Sequence, residues 1–429
     1  MDPLLLKYTG KIIKQNRISK GMKQKELAKG ICSVSYLSKF EKGLVLPNEE
    51  VIEQLKEKLS AEDRLVKQKN KSFHYNLEKF HIAIIEKNNN EMENIYKQLN
   101  LHSSLNQHEE LLYRYEVYKM LYFNYKGEIN KTKRIIDSLE ETINVLPEDV
   151  RYYFHCYSGR YYYYIQDFQK SYEHYSKAET LFYYPVLSLK EKGDFFYSLA
   201  MACCQINKLQ MALTKGKQSL SFYQSDYNIK SSMEAHVLLG IAYRKNAQYQ
   251  EALDQYSNAK KAMVLCQDYS IHYIIEHNLG YLNSKLGFSE ESLEFFKKCV
   301  ELTNESQMDH KIHSILSLTH EYYKLGLKQE AIKWINEASS ILEQNEGLRK
   351  LYKVELLTNK LLITQDWNKL EENIMEIIHH YEGKAKYYDL SIYLEKLAEK
   401  LFSISRYKKS ANYFQLSLQY FKKSQKEIN

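Results

Sequence analysis

The stretch LLGIAYRKNAQYQEALDQYSNAKKA, residues 238–262, holds three small residues, Gly240, Ala252 and Ala259, at offsets that recur along the chain with a period near 40. The Ala252 column runs through Ser171, Ala212, Ser292, Ala331, Leu370 and Ser410, in steps of 39 to 41 residues. Twelve positions earlier lies a second column, Gly159, Ala200, Gly240, Gly280, Thr319, Thr358 and Ala398. Seven positions later lies a third, Ala178, Ser219, Ala259, Cys299, Ala338, Ile377 and Ser417. Small side chains at fixed offsets let paired helices approach closely, and a period of this size marks a stacked helical repeat. The column four after the first is bulky (Tyr175, Tyr256, Phe296, Ile335, Ile374 and Phe414, with Gly216 the exception) and is expected to fill the gaps. The unit with Leu370 and Ile377 departs twice and is expected to pack irregularly.

The next unit, HNLGYLNSKLGFSEESLEFFKKCV at residues 277–300, repeats the pattern, and weaker units lie around 84–99 and 120–136. Seven repeats are clear and up to nine are expected. These offsets resemble the tetratricopeptide repeat, with a period about six residues longer than its usual 34, which predicts longer helices or loops. Four Pro and 14 Gly in 429 residues agree with an all-α chain. The resemblance implies a right-handed superhelical solenoid whose first helices line a concave groove. Much of the load of 39 Tyr falls on the repeat's own aromatic positions, such as Tyr162, Tyr243 and Tyr322, so packing explains those before ligand binding does.

Counted from the Gly column, groove-facing positions lie three and two before it and one, four and five after. They comprise Tyr157, Arg160, Tyr163 and Tyr164; Met201, Cys204 and Gln205; Arg244 and Lys245; His277, Asn278, Tyr281 and Lys285; and His320, Tyr323 and Lys324. Asn pairs with both N–H and C=O of an extended backbone, Tyr forms side-chain pockets, and Arg or Lys takes a carboxylate. The expected ligand is a short peptide, with Asn278 the leading contact.

The other informative segment is basic. Ten Lys or Arg against three acids in residues 1–43 account for the whole net charge of +7, so the rest of the chain is neutral. Concentrated positive charge is a footprint for a polyanion. Apolar spacing and turn signals divide residues 8–59 into four short helices. Ile12 and Ile13 belong to the first, which ends at Lys20-Gly21; the second is Gln24 to Lys29. Ser33 caps the third, which buries Leu37 and Phe40 and stops at Gly43. Asn48 caps the fourth, with Val51, Ile52, Leu55 and Leu59 as its apolar stripe.

GKIIKQNRISKGMKQKELAKGICSVSYLSKFEKG, residues 10–43, resembles the phage-repressor (XRE) helix-turn-helix, through Gln24, Leu27-Ala28 and Leu37-Ser38-Lys39-Phe40-Glu41-x-Gly43. The turn is one residue shorter than the common pattern and lacks its Gly, with Ile31-Cys32 in that place. The resemblance implies that the third helix enters the major groove of double-stranded promoter DNA. By position, Val34, Ser35 and Lys39 would read bases, while Lys23, Gln24, Ser38 and Lys42 would hold phosphates.

A helix-turn-helix over residues 1–60, a charged helical linker at 61–72 without Gly or Pro, and a repeat domain over 73–429 together resemble the RRNPP family of bacterial quorum-sensing receptors. The match is closest to its NprR branch, with PlcR-type and arbitrium-type regulators as relatives. The resemblance implies a cytoplasmic transcription regulator that binds a signalling peptide in its groove and acts as a homodimer or higher oligomer. Two other readings stand beside it: a repeat scaffold that captures a response regulator of the sporulation phosphorelay, and a plain XRE-type repressor indifferent to peptide.

Other function classes lack their signatures. There is no P-loop, no G-x-G-x-x-G and no nucleophile elbow, so neither an enzyme nor a cofactor is expected. The six Cys form no C-x-x-C pair and are expected to be reduced, packed thiols. His310 and His313 have a metal-ligand spacing with no third ligand in sequence, so no metal is expected. No apolar run reaches the length of a membrane span, and the acid at Asp2 is unlike a signal peptide.

Overall fold

A computed structural model of the chain describes residues 3–45, 48–102, 109–383 and 387–426, and among them every regular element is a helix. The chain divides into two compact units, Met1–Tyr161 with Lys177–Pro185, and Tyr162–Ser176 with Val186–Asn429.

The first unit opens with α1 (Pro3–Ser19), α2 (Gln24–Ala28), α3 (Val34–Glu41) and α4 (Glu49–Ile85). The expected caps are present: Ser33 Oγ accepts from the Tyr36 amide at 3.1 Å, and Asn48 Oδ1 from the Val51 amide at 2.9 Å. Each satisfies one of the free amides that a helix start exposes. Ile13, Met22, Leu27, Ala28, Leu37, Phe40, Ile52, Leu55 and Leu59 form one core. Ile12 is instead 41% exposed, because one turn of α1 places only Ile13 toward α3 and α4.

Two further expectations need correction. The shortened turn has its glycine after all: Gly30 takes the left-handed conformation at φ +82°, and Ile31 and Cys32 pack partly against the core. The fourth helix does not stop near Leu59. It runs unbroken to Ile85, since nothing between 60 and 72 interrupts it. There it pairs with α5 (Asn89–His102), ahead of α6 (Glu109–Lys126) and α7 (Ile129–Leu139). The next helices are α8 (Glu148–Tyr164) and α9 (Phe168–Thr180).

The second unit stacks helix pairs in chain order. They are α10 (Leu189–Gln205) with α11 (Leu209–Ser225), α12 (Ile229–Lys245) with α13 (Tyr249–Cys266), and α14 (His272–Leu286) with α15 (Ser289–Leu302). Then come α16 (Met308–Lys324) with α17 (Lys328–Gln344), α18 (Glu346–Thr364) with α19 (Trp367–Glu372) and α20 (Ile374–Gly383), and α21 (Tyr387–Ser403) with α22 (Tyr407–Lys426).

The surplus over the usual repeat length lies in the helices. Those from α10 to α13 have 17 or 18 residues and are joined by turns of three, each with its middle residue, Asn207, Tyr227 or Ala247, at φ near +55° (56°, 53° and 57°). The small columns explain how such long helices pack. All seven members of the Ala252 column are buried. A Cβ on Gly240 would stand 2.4 Å from the Tyr256 ring, and one on Gly280 would stand 2.8 Å from Phe296, so the bulky column lies directly over the glycines. At two of the column's three serines the hydroxyl fastens the pair: Ser292 donates to the Gly280 carbonyl and Ser410 to the Ala398 carbonyl, each at 2.8 Å.

The unit with Leu370 and Ile377 is irregular, its second helix breaking at Asn373 into α19 and α20. Phe414 fills no gap and is 39% exposed. It sits on the outer side of α22.

Candidate nucleic-acid interface and ligand groove

The α3 surface divides cleanly. Leu37, Phe40 and Glu41 are buried, while Val34, Ser35, Lys39 and Lys42 are exposed and Ser38 is half-buried. The outward residues fall at i, i+1, i+4, i+5 and i+8, which is one face of a helix. Lys23 lies exposed at the N-cap of α2, its amide donating to Glu26 Oε2 at 2.8 Å. Gln24 is half-buried, and its side-chain amide donates to Glu41 Oε2 at 2.7 Å, so the position assigned to a phosphate contact also has a role within the fold.

A buried ion pair that the sequence reading missed holds this face in place. Arg17 on α1 donates through Nε to Glu41 Oε1 at 2.6 Å and through Nη2 to Oε2 at 2.8 Å; its Nη1 donates to the Met22 carbonyl at 2.8 Å. Burial pushes the Glu41 carboxyl up, but Arg17 and Gln24 outweigh it and hold the group below the usual carboxylate range. α1, the start of α2 and the end of α3 thus meet at one carboxylate. Gly10 completes the contact: a Cβ there would come within 2.3 Å of the Phe40 carbonyl oxygen, so only glycine lets α1 lie this close to α3. Arg17 and Glu41 are 24 residues apart on different helices, and no periodicity links them.

The groove candidates of the first unit are Tyr157 and Arg160. Arg160 is exposed, whereas Tyr157 is buried with its hydroxyl paired to the ring of His81. His81 stacks on Tyr118 with centroids 4.2 Å apart, and burial lowers its pKa to about 3, so it stays neutral.

In the second unit the first helices of successive pairs are joined by a row of polar contacts. Gln205 Nε2 donates to the Tyr163 hydroxyl at 3.2 Å, and Lys245 Nζ to the Cys204 carbonyl at 2.9 Å. The Arg244 guanidinium lies over the Tyr281 ring at 4.2 Å, and Lys285 Nζ lies 5.3 Å from the same ring centroid. Ser284 donates to Glu321 Oε1 at 2.6 Å, and Lys324 Nζ to the same oxygen at 2.7 Å. Burial pushes the Glu321 carboxyl up, but Lys324 and Ser284 prevail and hold it below its ordinary value. Burial also pushes the Tyr256 phenol up to about 12, against the opposing charge of Arg244.

The remaining candidates stand as follows. Tyr164 is 64% exposed, and Tyr323 is half-buried. His320 is held below the ordinary histidine value by burial and then by Lys324. His277 does not face open space: it is buried, its Nδ1 is 2.7 Å from the Ser314 hydroxyl, and its ring packs near Phe296. Asn278 is also buried, and its amide donates to the Ile274 carbonyl of its own helix at 2.8 Å.

Sequence reasoning missed Glu321, Ser284 and the fully buried Glu276, whose carboxylate joins Lys260 at 2.9 Å, His272 at 2.7 Å and Lys298 at 3.1 Å. Only tertiary packing reveals a buried carboxylate in a charged helix. Among the described residues no three His, Cys, Asp or Glu are grouped to hold a metal. His310 packs on Tyr273 and His313 on His277. None of the described helices is long and apolar enough to cross a membrane.

Residues 13–60 match the helix-turn-helix family model HTH_3. Over 402 residues, 92% of this chain and 99% of the relative, the sequence is 27% identical to a transcriptional activator, NprA, of Geobacillus stearothermophilus. The apo form of the quorum sensor NprR from B. thuringiensis superposes with a TM-score of 0.68 at 18% identity, covering 82% of this chain and 99% of that one. A structure of NprR in complex with its cognate peptide NprX gives a TM-score of 0.58 at 17% identity, over 82% and 98%.

Proposed function

We propose that the chain is a member of the RRNPP family of peptide-sensing regulators and a cytoplasmic quorum-sensing transcription regulator. It binds promoter DNA through α2 and α3 and answers to a short signalling peptide bound along the first helices of the repeats. The observation that carries the reading is the bare outer face of α3, with Val34, Ser35, Lys39 and Lys42 exposed over a core built to hold that helix still. The polar row from Gln205 through Arg244 and Tyr281 to Lys324 supports the peptide half, as does the likeness to a protein whose solved complex contains its cognate peptide. The array works as a binding surface, with no catalytic role.

A homo-oligomer completes the reading. On α22, Tyr407, Phe414, Leu418 and Phe421 are all exposed, spaced seven, four and three residues apart along one side of the helix. An exposed apolar stripe of this kind supports cover by a second copy.

The test is calorimetric titration of the full chain with short peptides cut from the C-terminal end of small exported reading frames beside its gene, followed by DNA retardation with and without the binder. Saturable binding that alters retardation is expected. Tight DNA binding that no peptide changes would leave a peptide-independent repressor.

A further inference from the structure

We propose that the cavity between the end of α11, the first half of α12 and the second half of α13 is a separate binding site, which takes a small amphiphile with an apolar body and an anionic head. This site goes beyond the peptide reading and does not depend on it.

The cavity has a volume of about 460 Å³, within the range of small-molecule sites. Its walls follow from helical spacing. α12 contributes Ile229, Ser232 and His236, and α13 contributes Asn258, Lys261, Ala262 and Leu265, each set on one side of its helix. His236 Nδ1 lies 2.8 Å from Gln255 Oε1, a contact that ties these two helices together at the wall. All of these residues belong to the second unit. On α12 they precede Gly240, whereas the polar row uses Arg244 and Lys245 at the other end of that helix.

The mouth is apolar and exposed. Tyr227 is 91% exposed and Leu265 71%, so neither contributes to the core. Tyr227 also holds the left-handed conformation, at φ +53°, in the turn between α11 and α12. Glycine or asparagine takes that region at low cost, and a bulky side chain rarely does. Neither the strain nor the exposure of this ring serves the fold. Both are accounted for when the ring packs on an occupant of the cavity.

Charge sets the head group. Lys261 stands exposed on the rim with no carboxylate in ion-pair distance among the described residues, whereas its neighbour Lys260 is joined to Glu276 at 2.9 Å. Among the described residues no acid lines the cavity, and Asn258, one turn before Lys261, supplies an amide donor. An anion therefore meets a cation and a hydrogen-bond donor on one side of α13. Tyr227, Ile229, Ala262 and Leu265 are left for its apolar body. A cationic ligand would meet Lys261 as a like charge, and a neutral one would leave it unused.

The probes are hexanoate, octanoate and decanoate, with octanol as the uncharged match of octanoate, each titrated calorimetrically into the full-length chain. Saturable binding at one site is expected, tightening about threefold per methylene as the apolar body enters the cavity. Octanoate should bind a few-fold tighter than octanol, the scale of one exposed ion pair. Lys261→Gln should abolish that difference, and Leu265→Glu should weaken every acid at least tenfold. Tyr227→Gly separates the ring's two roles: the thermal midpoint should stay level or rise as the strain is relieved, while octanoate binds more weakly.

No saturable binding of any acid overturns the proposal and leaves this mouth as a surface for a protein partner. Equal binding by wild type and Leu265→Glu, with the helical circular-dichroism signal unchanged, overturns it as well, because the acids then adhere elsewhere as surfactants. Octanol binding as tightly as octanoate overturns the anionic head.

Discussion

Glu41→Gln is expected to loosen the helix-turn-helix while leaving the repeats intact. The Glu41 side chain is 1% exposed and that of Arg17 11%, so the pair is screened by almost no water. Glu41 accepts three hydrogen bonds, two from Arg17 and one from Gln24. The amide removes the charge and turns one acceptor into a donor that faces other donors. Arg17 cannot shed its proton, so it remains a buried, uncompensated charge. Removing one partner of such a pair costs about 3–5 kcal/mol. A four-helix head of some 60 residues holds roughly 3–9 kcal/mol at 0.05–0.15 per residue, so about a third or more of its stability is at stake. Amide exchange read by mass spectrometry on the full chain checks this, with peptides from α2 and α3 protecting less and those from α12 and α13 unchanged.

The apolar double replacement Arg17→Met with Glu41→Met should restore most of the protection, because it removes both charges together. Acid gives a second view of the same group. The folded pKa of Glu41 lies below its unfolded value, so its contribution is present above the unfolded value of about 4.3 and is lost as pH falls through the folded one. The wild-type head should therefore loosen below about pH 4, and the Glu41→Gln head should respond less to acid. If Glu41→Gln leaves exchange in α2 and α3 within about 1 kcal/mol of wild type, the pair behaves as an exposed one and the reasoning is wrong.

Other perturbations have separate readouts. Lys39→Ala should relax base preference in a selection from random DNA, whereas Lys23→Ala should weaken all DNA alike and lower the salt slope by about one; an unchanged preference in Lys39→Ala would mean that the face of α3 is assigned wrongly. Gly240→Ala places a methyl 2.4 Å from the Tyr256 ring and should cost about 1–3 kcal/mol in thermal unfolding of the repeats. Ala247→Gly, at φ +57° in a turn, should stabilise by up to about 1 kcal/mol, and a loss there would contradict the assigned conformation. Leu418→Glu on the exposed side of α22 should shift the chain toward monomer in light scattering, and an unchanged mass would rule that face out as the contact.

The sequence alone determined the repeat and its packing code. Short-range offsets carry that information: a small residue at Gly240 and a ring at Tyr256 imply each other because two helices joined by a three-residue turn must be neighbours. The caps at Ser33 and Asn48, the break in the unit of Leu370 and the outward residues of α3 are local in the same sense. Tertiary structure decided what joins distant segments. Arg17 meets Glu41 across 24 residues, Gly10 meets the Phe40 carbonyl, and Arg244 leaves its helix end for a ring in the next pair. Pattern assigned both His277 and Tyr281 to the groove, yet His277 turns to Ser314 while Tyr281 carries two cations. Helical spacing limits a residue to a face, but the side chain's direction and its partner depend on which neighbouring helix presents a complementary atom there, and one strand of sequence does not encode that meeting in any period.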